Sequence, residues 1–331
     1  MFLRRRNKSC YNNKTAMLIK HFLLLGLLIL IPLGYIVFQI LPTSFSNEQI
    51  HFVIPLETKQ AEIIKRLKTE NFIRDEKIFS FILSIIRFPG AIEPGAYQLS
   101  RNMNTFQIAD ILLNHPYQKW IVLVPGLRIE QVAERLAKKF NWDSAKTKEF
   151  LSAGKEGYMY PDTYLLNTDY SPSDVARRLI ANFNEKFDSK IRQDLLNQDV
   201  RNDTAVKIAS LIERESGGDE DKALIAGIIW NRLDKGMRLQ IDATIQYVLG
   251  TPNDWWPMVK PPNMKTESPY NTYLYKGLTP GPICNPSLAS IKAATYPSET
   301  NCIFYLHDRA KQIHCAVTYE EHLNNIEKYL K

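Results

Sequence analysis

The residues best placed for chemistry lie in Ile208-Ala209-Ser210-Leu211-Ile212-Glu213-Arg214-Glu215-Ser216-Gly217. The spacing predicts a helix. Asn202-Asp203-Thr204 is expected to offer side-chain oxygens to its first N–H groups, and Gly217-Gly218 to stop it just past Ser216. Ile208, Leu211 and Ile212 form an apolar stripe, which Glu215 continues at helical spacing. Glu213 lies two residues away, about 200° around the turn, so it points elsewhere and is expected, with Ser216, to play a supporting part. A carboxylate at the end of a buried stripe is a candidate general acid, because desolvation keeps it protonated near neutral pH. The structural alternative is a helix-end residue paired with a nearby Arg or Lys.

The elements that must position this carboxylate belong to a chain of 331 residues, long enough for one large core or two ordinary domains. At 45% hydrophobic and 23% charged residues it has a globular composition. The formal charge is +7, but Arg4, Arg5, Arg6, Lys8, Lys14 and Lys20 carry six of those charges and leave +1 for the rest. That distribution excludes a basic nucleic-acid face. Phe22 to Phe38 has no charged residue, and Gln39-Ile40-Leu41 extends it. About 20 apolar residues span a bilayer, and Leu41 to Ser46 is a poor cleavage site, so residues 21–41 read as an uncleaved anchor rather than a signal peptide. The positive-inside bias puts residues 1–20 in the cytoplasm and the body outside it. Of the four cysteines, Cys284, Cys302 and Cys315 would lie on the far side. At most one pair could form there, and free thiols are the default expectation. No spacing suggests a metal or a nucleotide cofactor.

Residues 42–50 read as a linker. Strand-turn-helix patterns follow at His51–Pro55 with Gln60–Leu67, at Gly95–Leu99 with Thr105–Leu113, and at Val122–Pro125 with Ile129–Leu136. They suggest one or two small α+β modules. Helices are expected from Ser173 to about Phe187 and from Ala223 to Leu233, the second opened by Asp219-Glu220-Asp221. The irregular stretches Glu156–Tyr164 and Pro252–Pro286 are rich in Tyr, Asn, Thr, Gly and Pro. Such loops suit a polar ring-shaped ligand, with aromatic faces for sugar faces and amides for hydroxyls. They equally suit a surface loop with buried tyrosines.

Six ordered motifs resemble the endolytic murein transglycosylases of the YceG-like group. They are EGYMYPDTY (156–164), IASLIERES (208–216), IIWNRLDKGMRLQIDAT (228–244), SPYNTYLYKGLTPGPICNPS (268–287), IKAATYP (291–297), and His314 with Tyr319 to His322. The resemblance implies an α+β protein: a single transmembrane helix, a LysM-like module at 51–117, and a mainly helical, lysozyme- and transglycosylase-related catalytic domain with long loops at 118–331. It also implies a single-pass bacterial inner-membrane protein with a periplasmic body. Its partners would be peptidoglycan strands and the peptidoglycan synthases (penicillin-binding proteins). The sequence departs from the family pattern at Pro125, at Ala243 where proline is usual, and at Ala316.

The family's IxExE[ST] pattern implies that Glu215 is the catalytic residue. The reaction implied is cleavage of MurNAc–GlcNAc bonds within strands, leaving 1,6-anhydro-MurNAc ends. Here the sugar's own C6 hydroxyl is the nucleophile, so one carboxylate suffices where an ordinary glycosidase needs two. Tyr158, Asp162, Tyr164, Gln240, Asp242, Tyr270, Asn271 and Tyr273 are expected along the groove. Two rivals stand beside this reading. A lysozyme-like hydrolase would need Asp162, Asp242 or Glu267 as a second carboxylate, and a membrane-anchored glycan-binding scaffold would need no catalysis at all.

Overall fold

The structure is a computed structural model that describes residues 7–86 and 91–331, and of residues 7–16 the backbone alone. Arg4, Arg5 and Arg6, and the side chains of Lys8, Cys10 and Lys14, therefore lie outside the described residues. The chain divides into two compact units, Met1–Trp120 and Ile121–Lys331.

The first unit begins with helix α1 (Asn7–Ile40). Its segment Met17–Ile40 is 24 residues long, apolar, and unburied. At 1.5 Å per residue it measures about 36 Å, more than the roughly 30 Å of a bilayer's hydrocarbon core. It is long and apolar enough to cross a membrane. Strand β1 (Ile50–Ile54), helices α2 (Gln60–Thr69) and α3 (Glu76–Ile86), strand β2 (Gly95–Leu99), helix α4 (Thr105–Asn114) and strand β3 (Gln118–Val122) follow, the last two residues of β3 being already in the second unit. β1 and β2 pair antiparallel with Phe52 opposite Tyr97, and β2 pairs onward with the start of β3 through Gly95 and Lys119. Phe52, Ile54, Tyr97 and Leu99 turn inward onto Ile63 and Leu67 of α2, Phe79 and Ile82 of α3, and Ile108 and Leu112 of α4. α4 starts at a reciprocal cap in which Asn104 and Gln107 each accept the other's backbone N–H. α3 is absent from the sequence reading: IFSFILSII is apolar at nearly every position, which masks the stripe of Phe79, Ile82 and Leu83 that the helix buries.

The second unit is mainly helical. It contains α5 (Ile129–Phe140), α6 (Ser144–Ala153), strand β4 (Thr163–Asn167), α7 (Pro172–Lys186), α8 (Ser189–Asn197), α9 (Asn202–Glu215), α10 (Lys222–Asp234), α11 (Asp242–Leu249), α12 (Leu288–Thr295), the hairpin β5 (Phe304–His307) and β6 (Ile313–Ala316), and α13 (Tyr319–Leu330). α9 is the centre of the larger core and packs against α10, α11 and α12. α7 starts one residue earlier than expected, with Ser171 and Asp174 as a reciprocal cap and Pro172 in its first turn. α9 departs from expectation at its start: Arg201 holds the cap position with no side-chain capping bond, and Asn202 to Thr204 are already helical. The expectation of free thiols is corrected too. Cys302 and Cys315 form a disulfide, Cα atoms 5.9 Å apart, across the β5–β6 hairpin, while Cys284 is free and buried. Closing a loop of this length stabilises the fold by about 3 kcal/mol.

Candidate active site

α9 ends on Glu215, between the first turn of α11 and strand β5. Ile208, Leu211 and Ile212 are fully buried. Each contributes about 1.5–3 kcal/mol by burial, so the helix resists rolling and its terminal side chain keeps its bearing. Glu215 is half-buried. The Tyr305 hydroxyl donates to its Oε2 at 2.7 Å, and the backbone N–H of Ala243 donates to the same carboxylate. Both donors favour the anion. Burial opposes them and prevails, and the Asp242 charge adds to it, so the carboxyl is held above the usual range. Such a group can give up a proton near neutral pH and later take one back.

The partners of Glu215 are themselves held. Arg232, buried on α10, donates from Nε to the Ile303 carbonyl at 2.6 Å and from Nη1 to the Leu239 carbonyl at 2.5 Å. One guanidinium thus ties the strand carrying Tyr305 to the segment leading into α11. That segment is pinned again by the buried Thr272, whose Oγ1 accepts the Ile241 N–H at 2.9 Å and lies 3.0 Å from Thr244 Oγ1. Gln240 makes the turn with φ at 52°, a left-handed conformation costly for a residue with a side chain. Beyond the helix end, Asp221 accepts the Gly217 N–H at 2.8 Å and stands 2.6 Å from His307 Nε2. A Cβ at Gly217 would come 3.2 Å from the Lys311 carbonyl, so glycine lets the chain leave α9 against the hairpin.

The expected groove residues separate into two groups. Asp242 and Tyr273 do come together beside Glu215, with the Tyr273 hydroxyl donating to Asp242 Oδ1 at 2.5 Å. Gln240 is exposed in the same segment, its N–H bonded to the Thr272 carbonyl at 3.1 Å. Asn271 is fully buried and spends its amide on the Met264 and Thr266 carbonyls and the Tyr273 N–H, so it shapes the loop. Tyr270 packs on Tyr247 with the rings tilted and their centroids 5.0 Å apart. Tyr158 packs on Phe183 at 4.7 Å, with the Lys155 ammonium over its ring. Tyr164 is buried, donates to the Tyr160 carbonyl at 2.6 Å and accepts from Asn182 at 2.9 Å. Asp162 takes the other contact from Asn182, at 3.0 Å. Tyr164 and Asn271 are thus structural here, since their polar atoms are used inside the fold.

Glu213 points away from Glu215, as the periodicity requires. Its Oε2 accepts the Ser287 N–H and hydroxyl at 2.8 and 2.6 Å and the Ser290 hydroxyl at 2.7 Å, tying the start of α12 to α9. Ser216 is the residue after the helix, its N–H closing on the Ile212 carbonyl at 2.9 Å. A second carboxyl lies apart from these. Glu156 accepts the Ile129 N–H at 3.1 Å and the Asn285 amide at 3.1 Å, and burial pushes its pKa up to about 8.

Tyr305, His307, Asp221, Arg232 and the Ala243 N–H escaped the sequence reading. Ile303-Phe304-Tyr305-Leu306-His307 lies between the motifs at 291–297 and His314 and belongs to neither. Asp221 reads as a helix start, which it is by position, although its side chain serves Gly217 and His307 instead. The one available signal was the alternation that puts Tyr305 and His307 on one face of β5.

The YceG-like family model matches residues 52–328. The chain is similar to an endolytic murein transglycosylase of Bacillus subtilis, 28% identical over 316 residues and covering 86% of each chain. It is also similar to an endolytic murein transglycosylase of Streptococcus pneumoniae, 22% identical over 339 residues, covering 89% of this chain and 61% of that one. Among solved structures, a putative yceG-like protein of Listeria monocytogenes superposes with a TM-score of 0.61 at 28% identity, covering 84% of this chain and 99% of that one.

Proposed function

The chain belongs to the YceG-like family, and from that premise we propose that it is an endolytic murein transglycosylase with Glu215 as its acid and base. The supporting observation is the Glu215 carboxyl, fixed by a buried helix, raised in pKa by burial, and held by Tyr305 and Ala243. Glu215 gives its proton to the glycosidic oxygen as the bond from C1 of MurNAc breaks. The C6 hydroxyl then attacks C1, and its proton returns to Glu215 as the 1,6-anhydro ring closes. No proton is gained or lost overall, and no water is needed. Tyr305 stabilises the carboxylate formed between the two steps, and the Arg232 charge near Tyr305 and Glu215 acts in the same sense. Asp242, Tyr273 and Gln240 are the residues we assign to the sugar.

In this reading the second unit is the catalytic domain, the first carries a LysM-like module, and α1 is a single-pass anchor of the inner membrane. The N-terminus is cytoplasmic and the body periplasmic, beside the peptidoglycan synthases. A disulfide at Cys302–Cys315 fits an oxidising compartment. The test uses the full chain in detergent, as wild type and as Glu215→Gln, on purified peptidoglycan with products weighed by mass spectrometry. Anhydro ends from the wild type alone are expected. Reducing ends would make the protein a hydrolase, with Asp242 the nearest second carboxylate. No products from a folded wild type would favour a glycan-binding scaffold.

A further inference from the structure

Arg214 precedes the acid by one residue, about 100° around α9, and faces a different set of neighbours. Its Cζ lies 3.8 Å from the centroid of the Trp256 ring. That indole is fixed in turn, since its Nε1 donates to Gln131 Oε1 at 3.1 Å. On another side is Gly126, whose φ is +79° and where a Cβ would come 3.4 Å from Arg214 Nη1 and 3.7 Å from its Cδ. The Gly126 N–H is bonded to the Asn285 carbonyl at 2.9 Å, so this edge is also fixed. The guanidinium is thus flanked by an anchored ring and a tight glycine turn.

Among the described residues this guanidinium makes no hydrogen bond and no ion pair. Its Nε is sealed from solvent and has no acceptor. The two neighbouring carboxylates are committed elsewhere: Glu213 to Ser287 and Ser290, Glu215 to Tyr305 and Ala243. Other buried arginines of this unit are satisfied. Arg128 holds Glu130 at 3.2 Å and the Tyr247 carbonyl at 2.8 Å, and Arg232 holds two carbonyls. An arginine carries five N–H donors in a planar fork that matches a carboxylate, and a desolvated charge without a partner is unfavourable. Here the guanidinium is positioned by packing with its Nε side closed, and its outer Nη edge carries no partner among the described residues while the residue keeps some exposure.

We propose that Arg214, laid on Trp256, is a subsite for a carboxylate of the peptide stems that branch from the glycan strand. This rests on the transglycosylase reading, because in a stem-bearing strand the lactyl carboxyl of MurNAc is tied up in the amide to the stem, so the sugars are neutral and the stem peptides carry the anions. Bound there, a stem carboxylate would align the strand beside Glu215 and favour cleavage next to a sugar that still bears its stem.

The test compares two substrates made from one preparation: glycan strands with stems, and the same strands stripped by an amidase and then converted to simple amides at the lactyl carboxyl that the cut exposes, so that the bare strand is neutral. The wild type is expected to show a higher kcat/KM on stem-bearing strands. Arg214→Gln is expected to cut the ratio of the two kcat/KM values about tenfold or more, with the loss in KM, and Arg214→Lys to fall between. Equal losses on both substrates would reduce Arg214 to a packing residue and overturn the proposal, as would an unchanged ratio, which would mean that only water meets the guanidinium. Binding of both strand types to the Glu215→Gln protein, with and without Arg214→Gln, reads the subsite without bond cleavage. A failure of the transglycosylase reading therefore shows as no cleavage with stem-dependent binding intact, and a failure of the subsite as binding indifferent to stems.

Discussion

Replacing Tyr305 by phenylalanine removes one oxygen and leaves the ring against His307, where the centroids stand 6.1 Å apart. The lost contact is the 2.7 Å bond to Glu215 Oε2. It favours the carboxylate over the acid, so its loss raises the Glu215 pKa further above the usual range. A hydrogen bond to a charged partner stabilises by about 1.5–3 kcal/mol. With about 1.4 kcal/mol to one pH unit, the alkaline limb of the kcat profile should climb by roughly one to two pH units. The plateau below that limb should fall by less than about tenfold, because the proton donor is intact and the loss is of charge stabilisation and aim. The assay is release of soluble muropeptides from purified peptidoglycan across pH. Tyr275→Phe, which removes a hydroxyl bonded to the exposed Glu267, is the control and should leave the limb in place. A Tyr305→Phe protein that is folded by circular dichroism, yet has its limb at the wild-type pH or lower, would refute the assignment of Glu215 as the titrating acid.

Three further perturbations test neighbouring parts of the same account. Ala243→Pro deletes the N–H that Glu215 accepts, at a first-turn position where proline is tolerated. The alkaline limb should move upward again, and an unmoved limb would mean that this N–H is idle. Glu213→Ala strips Ser287 and Ser290 of their shared acceptor and should cost about 2–4 kcal/mol in urea unfolding, while the surviving activity keeps the wild-type pH profile. A shifted profile would place Glu213 in the chemistry. Glu156 is held up to about 8 by burial, so the folded state keeps its proton where the unfolded state has lost it. The wild type should therefore lose stability as pH rises from about 4.5 to 8, by about 2–5 kcal/mol, and Glu156→Gln should flatten that fall in pH-dependent melting.

What could be read in the sequence was whatever local periodicity determines. Ile208, Leu211 and Ile212 fix the bearing of Glu215, and the same 3.6-residue turn sends Glu213 to the opposite side. The apolar run of α1 and the strand-helix pairs of the first unit were legible for the same reason. What stayed hidden comes from residues far apart in the chain. Tyr305 meets Glu215 across 90 residues and Arg232 meets Ile303 across 71, and no window of sequence contains both ends. The tyrosines of the loops failed differently. Tyr164 and Tyr273 have the same composition signal, yet one is buried against Asn182 and the other reaches Asp242. Only packing distinguishes them.

The distance along the chain between Glu215 and Tyr305 also sets an order in time. A ribosome adding roughly 5–20 residues per second finishes the acid several seconds before its hydrogen-bond donor exists. During that interval the emerging chain carries the carboxyl without the strand, the disulfide or the Arg232 tie that complete its surroundings. A product broken off before residue 302 would lack Tyr305 and Ile313, which pack on the α9 core, as well as the finished site. The surroundings of Glu215 are therefore complete only once residues 302–316 have been made.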